Sequence, residues 1–182
     1  MVEYKDKELI DLFLNPETKH YGFNLLVNKY KEKLYWHIRK IVIDHDDADD
    51  LVQDTFMKIW HGLEKFRGES SLFTWFYRIA TNECITFLKK KRTRFFIPLV
   101  NVEKELERSI AADPWFDGNE VQKKFQKALL TLPEKQRLVF NLRYFEEMPY
   151  EEISKVLHTS EGALKASYHH AVKKIEKYFE ND

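Results

Sequence analysis

A single cysteine, Cys84, among 182 residues excludes an internal disulfide and a four-cysteine zinc site. Glycine and proline are scarce, five of each, together about 5% where roughly 12% is usual. A chain so poor in breakers is suited to long helices. Long apolar runs are missing too: the longest stretch without Asp, Glu, Lys or Arg is the nine residues His20 to Asn28, against about 20 for a membrane-spanning helix. The opening MVEYKDKELI lacks the basic patch and apolar stretch of a secretory signal. The expectation is a cytoplasmic protein with no membrane insertion. Net charge is absent as well, with 30 basic and 30 acidic residues, and that absence misleads. Residues 1–94 carry 17 basic and 15 acidic groups, 95–120 carry 2 and 6, and 121–182 carry 11 and 9. Two mildly basic blocks flank an acidic connector, and such segregation matters for binding more than the sum does.

What is present is helical periodicity. Apolar residues of KELIDLFL end at Asn15-Pro16. From His20, the set Phe23, Leu26, Val27, Tyr30, Leu34, Ile38 and Ile41 recurs at three- and four-residue steps, the mark of a long amphipathic helix. Six of the eleven residues from Asp44 to Asp54 are acidic and open another helix, where they complement its dipole. Gly68-Glu69-Ser70-Ser71 reads as a loop ending in an N-cap serine, followed by a helix from about Leu72 to Lys91. The period lapses over 95–120, where Pro98, Pro114 and Gly118 break the segment, then returns in pieces near 120–130, 134–145, 150–157 and 161–179. The expected fold is all-α: two small helical domains, 1–94 and 121–182, joined by a flexible acidic linker, 95–120.

The C-terminal pieces are the most informative. EEISKVL forms a short helix with Ile153, Val156 and Leu157 on one side, His158-Thr159-Ser160 makes a turn, and Glu161 opens the next helix. There Leu164, Tyr168, Val172, Ile175 and Phe179 share a face, while Gly162, Lys165, Ala166, His169, His170 and Lys173 lie opposite. Two helices joined by so short a turn cross steeply, and small residues among basic ones suit close approach to a DNA groove, a helix-turn-helix arrangement. The same pattern also fits an ordinary helical hairpin with a solvated face.

The stretch LLTLPEKQRLVFNLRYFEEMPYEEISKVLHTSEGALKASYHHAVKKIEKYF resembles the C-terminal DNA-binding region of bacterial RNA polymerase sigma factors, in particular the extracytoplasmic-function (ECF) group. DDADDLVQDTFMKIWHGLEKFRGESSLFTWFYRIATNECITFLKKKR resembles that group's other conserved domain. The two stand in the expected order with a variable linker between them. The resemblance implies a factor with no catalytic activity that binds core RNA polymerase through its largest and second-largest subunits. It implies recognition of promoter DNA at −10 and −35 elements, and help in melting the first. An inhibitory anti-sigma factor is also implied; a small-molecule substrate, a cofactor or a metal is not.

Carried onto this sequence, the acidic helix offers Asp47, Asp50, Leu51, Gln53, Asp54 and Lys58 to polymerase. Phe66, Arg67, Gly68, Ser70 and Ser71 belong to a loop capturing a flipped base of the −10 element. Trp75, Arg78, Thr81 and Asn82 follow the single strand, and Lys89, Lys90, Lys91 and Arg92 hold phosphates. Opening a duplex needs such aromatic and basic surfaces for unstacked bases. The −35 surface is Ser160, Gly162, Ala163, Lys165, Ala166, Ser167, His169, His170 and Lys173. The linker's acids could mimic nucleic acid in a basic channel or serve as a passive tether.

The sequence departs from the family at several places. His158 stands where glycine is usual, so the turn is strained or altered. Pro149 replaces a serine cap before YEEI. Ser167 and His170 replace arginines, which lowers phosphate-binding charge at neutral pH. Two other functions fit parts of the chain. A DNA-binding regulator could use the helix-turn-helix alone, and an acidic-site metal nuclease has only the Asp44–Asp54 cluster behind it. Calcium binding is disfavoured because DHDDADDLVQDT puts Ala48 and Asp49 where an EF-hand loop needs a ligand and a glycine.

Overall fold

A computed structural model describes residues 4–94 and 120–180, the side chains of 92–94 excepted. The expected linker lies outside these residues, apart from Glu120, which begins a helix. Eight α-helices make up the described chain: α1 (Asp6–Leu14), α2 (Lys19–Val42), α3 (His45–Gly62), α4 (Leu72–Arg94), α5 (Glu120–Leu130), α6 (Glu134–Phe140), α7 (Tyr150–Leu157) and α8 (Glu161–Glu180). A 3₁₀ turn, Leu63–Lys65, follows α3, and a π turn, Asn141–Phe145, continues α6. Among the described residues no helix is long and apolar enough to cross a membrane.

The periodic apolar residues become the core. Leu26, Leu34 and Ile38 of α2, Ile59 of α3 and Phe76 of α4 are fully enclosed. Helix α1 lies across α2 at Gly22, where a β-carbon would stand 2.7 Å from the backbone nitrogen of Phe13; only glycine permits this approach. Charge fixes the same crossing: Lys29 pairs with Asp6 at 2.8 Å, and the Tyr30 hydroxyl donates to Asp6 at 2.7 Å. The Asp44 side chain caps α3 by accepting from the Asp47 amide at 3.0 Å.

The C-terminal helices have a small core of their own, built from Ala128, Leu129, Leu132, Phe140, Ala171 and Ile175. The front of this unit has a different allegiance. Met148, Ile153, Val156 and Leu164 belong to one continuous apolar cluster with Phe76, Tyr77 and Ala80 of α4. The two halves are therefore packed together, a point on which the sequence is silent.

The turn between α7 and α8 carries the strain expected of it. His158 has φ 49° and ψ 47°, the left-handed conformation. Pro149 precedes α7 without a side-chain cap, and its carbonyl accepts from Glu152 and Ile153.

Candidate nucleic-acid interface

The loop before α4 is built by two glycines and a serine. Gly68 has φ +72°, a conformation that costs it little. Ser71 Oγ accepts from the Thr74 amide at 3.0 Å and starts α4, as the N-cap reading anticipated. Gly62 leaves room for Trp75, whose ring would lie 3.1 Å from a β-carbon there. Trp75 is half-buried and its ring centre lies 5.2 Å from that of Phe66. Phe66 and Trp75 wall a cavity of about 360 Å³, lined also by Lys65, Arg67, Glu69, Ser70, Arg78 and Lys155. Arg67 is exposed and Arg78 half-exposed at its mouth. Aromatic planes beside guanidinium groups suit an unstacked base and its phosphate.

Asn82, Lys89 and Lys90 are exposed along α4 beyond the cavity. Thr81 does not join them. It is fully buried, with its hydroxyl 2.9 Å from His37 Nε2, because α2 packs over that side of α4. Lys91 folds back to pair with Asp47 at 2.9 Å. The side chain of Arg92 lies outside the described residues.

On α3, Asp50, Gln53 and Asp54 form an exposed row, whereas Asp47 is partly covered by Lys91 and Lys58 is paired with Glu83. Leu51 leaves the expected polymerase surface: it is 4% exposed and belongs to the core. The family resemblance placed it on that face, but its position one residue after Asp50 turns it inward. Sequence reasoning missed Met57, 61% exposed beside the acidic row; its spacing of three from Asp54 was the available signal.

Helix α8 presents the expected outer arc. Ser160, Gly162, Ala163, Lys165, Ala166, His169, His170 and Lys173 are exposed and Ser167 is half-exposed, while Leu164, Ala171 and Ile175 are buried beneath. Lys165 reaches back to Glu161 at 3.5 Å, and the small residues between the basic ones leave the backbone open to approach.

The chain matches two family descriptions: Sigma-70 region 2 over residues 26–94, and Sigma-70, region 4 over residues 122–175. Together these matches span about two thirds of it. The RNA polymerase sigma-H factor of Pseudomonas aeruginosa is 29% identical, covering 97% of this chain and 95% of its own length. The ECF RNA polymerase sigma factor SigW of Bacillus subtilis is 27% identical over 86% of this chain and 88% of its own. The chain belongs to the sigma-70 family, in its ECF group. As a sigma factor it directs RNA polymerase to promoters. The fold agrees: the sigma factor RpoE of Bartonella quintana, solved with the anti-sigma factor NepR, superposes with a TM-score of 0.68 at 23% identity, covering 88% of this sigma factor and 98% of that chain.

Among the described residues, no three His, Cys, Asp or Glu side chains converge as a metal site. Cys84 is buried, and burial pushes its thiol well above the ordinary range, which suits a packed residue.

Proposed function

We propose that this sigma factor divides its work between the two helical units. Residues 1–94 hold core polymerase through the exposed acidic row of α3 and open the −10 element at the cavity before α4. Residues 121–182 read the −35 element with the outer arc of α8, and 95–120 link the two. The observation that carries the reading is the joint placement of Phe66, Trp75, Arg67 and Arg78 around one cavity, with Asn82 exposed farther along the same helix. A regulator using only its helix-turn-helix has no need of such a strand-capturing surface. The chain has no catalytic activity of its own, requires no cofactor, and works in the cytoplasm where polymerase is. Carboxylates along α3 suit a basic partner surface on polymerase. An anti-sigma factor is a further partner, supported by the RpoE neighbour, which was solved bound to one.

The test is transcription in vitro on fragmented genomic DNA with bacterial core polymerase, with and without this protein. New start sites sharing two spaced upstream motifs are expected. Their absence, together with tight duplex binding by the protein alone, would favour the regulator.

A further inference from the structure

The outer arc of α8 carries little permanent charge for a surface that holds DNA. Its lysines are Lys165, which reaches back to Glu161 at 3.5 Å, and Lys173. Between them stand two adjacent imidazoles, His169 and His170, both exposed, with ring centres 6.1 Å apart. Lys165 lies one turn before His169, Lys173 one turn after it, and Lys174 one turn after His170. No carboxylate occurs between Glu161 and Glu176, so α8 offers a protonated imidazole no anionic partner one turn away.

The elements packed against α8 direct their charges elsewhere. Arg143 and Tyr144 of the π turn and Tyr150 of α7 interact with Tyr168. On α7, Glu151 and Glu152 are paired with Lys155 at 3.2 and 2.9 Å. On α5, Glu120 pairs with Lys123 at 3.9 Å, and Lys124 stands 5.0 Å from the centre of the Phe179 ring. The charged residues of α6, Glu134, Lys135 and Arg137, lie on its first turn, and Arg137 is buried. What remains to meet the two imidazoles is whatever approaches α8 from outside.

We infer that His169 and His170 make the grip of α8 on the −35 element proton-dependent, the protonated rings holding backbone phosphates and the neutral rings leaving the grip to the lysines. The inference rests on the function proposed above, in which α8 faces DNA. Imidazole is the side chain whose charge changes between about pH 5 and 8. A phosphate brought against it favours the charged form. Each such contact therefore takes up a proton on binding, and by linkage the affinity rises as the pH falls. Protonating both rings adds two charges to the arc's two lysines, and the small Ala163 and Ala166 on the same arc let the backbone come close. Lysine or arginine in these places would hold DNA equally across this range; imidazole makes promoter engagement sensitive to acid.

The experiment is fluorescence anisotropy of a labelled duplex titrated with the full chain between about pH 8 and about pH 6, at several salt concentrations. One duplex carries the upstream motif shared by the mapped start sites. The other is of mixed sequence, because phosphate contacts carry no sequence information. The wild type is expected to bind both at least about fivefold tighter at the acid end, with a salt slope steeper by about 0.9 for each imidazole that gains a phosphate. The double variant His169→Gln with His170→Gln should stay at the weak, alkaline affinity throughout. His169→Arg with His170→Arg should bind tightly throughout. Circular dichroism at each pH shows that the chain is folded, which separates the effect from protonation of buried His37. A wild-type affinity that is flat across this range would overturn the inference. So would a pH dependence that survives the double glutamine variant, which would pass the effect to His158 or another group. Flat but measurable duplex binding leaves the proposed function standing, whereas no binding to either duplex at any pH removes α8 from DNA and overturns both.

Discussion

The two faces assigned to promoter DNA meet opposite treatment in the fold. On α8 the basic and small residues face outward while Leu164, Ala171 and Ile175 anchor the helix from beneath. On α4 the corresponding surface is crowded: Trp75 is wedged against Phe66 and Gly62, Thr81 is enclosed by α2, and Lys155 of the other half shares the cavity. The chemistry explains the contrast. Reading duplex DNA requires a protruding helix of modest demands, since the groove is already there. Holding an unstacked base requires a concave, partly apolar surface, and such surfaces attract other occupants as readily as the intended one. The part of the molecule with the harder task is also the part that the other half reaches, through Lys155.

The sharpest way to break that comparison is to damage one face and watch the other. Trp75→Ala should reduce promoter opening by roughly 10- to 100-fold, the equivalent of about 1–3 kcal/mol of base stacking. Permanganate reactivity of unpaired thymines measures the opening, while polymerase binding by gel filtration should be unchanged. Asn82→Ala, which removes an exposed side chain, should act in the same direction without any folding cost. An equal loss of polymerase binding in both variants would remove the strand-holding role from α4.

Acid should also weaken the first half. His37 is buried between α2 and α4, with its Nε2 at Thr81, its ring centre 4.5 Å from that of Tyr77, and its Nδ1 without a partner. Burial lowers it to about 4, Glu146 opposing and Lys40 adding to the shift. In the unfolded chain the imidazole takes its proton near the ordinary value of about 6.5. The contribution to stability is therefore full above about pH 6.5 and falls as the pH drops towards about 4, where it is lost. Between about pH 7 and pH 5 this amounts to about 2 kcal/mol. Urea unfolding followed by tryptophan fluorescence checks it, since Trp36, Trp60 and Trp75 all lie in the first half. His37→Gln, which can retain a bond to Thr81, should flatten the slope; an unchanged slope would place the acid sensitivity elsewhere.

A smaller effect tests the open face. Lys165→Ala should weaken binding of a −35 duplex severalfold and lower the salt slope by about one. Opening of a promoter already bound should hardly change. If Lys165→Ala affected opening as strongly as Trp75→Ala, the division of labour between the faces would be wrong.

Much of this was legible in the sequence because it depends on local rules. Helix α2 follows from its apolar spacing, the caps at Asp44 and Ser71 from side-chain chemistry, and the arc of α8 from arithmetic at 100° per residue. Leu51 was placed on the polymerase surface by the family resemblance, although its own helical position turns it inward; Thr81 was placed on the wrong face for a tertiary reason. A polar or boundary residue is assigned outward by its own helix, but its environment is set by which neighbour packs there, and α2 claims Thr81 through His37. The contact of Glu146 with Lys40 and Tyr77 was invisible for a stronger reason. Its partners lie 106 and 69 residues away in sequence, and nothing in FEEMPY distinguishes a buried carboxylate from a solvated one. Met57 was missed because a lone methionine in an amphipathic helix reads as core, whereas the fold leaves it outside beside the acidic row.

The smallest expected effect concerns a residue that the sequence itself marked as unusual. His158 occupies the left-handed region at φ 49°, and a side chain there crowds its own backbone. The helix-turn-helix tolerates this because the ends of the turn are fixed independently: Ile153 and Val156 anchor α7, Leu164 anchors α8, and Thr159 Oγ1 donates to the Leu157 carbonyl at 3.1 Å. His158→Gly relieves the crowding but lets the unfolded chain wander more widely, so the two terms oppose each other. Relief is the larger where φ is positive, and a gain of up to about 1 kcal/mol follows, read as a rise in the urea midpoint. The His158 side chain is exposed and lies outside the α8 arc, so −35 binding should be unchanged. A loss of stability would mean that the imidazole contributes a stabilising contact at the turn. A loss of DNA binding with stability intact would extend the open face back across the turn to His158.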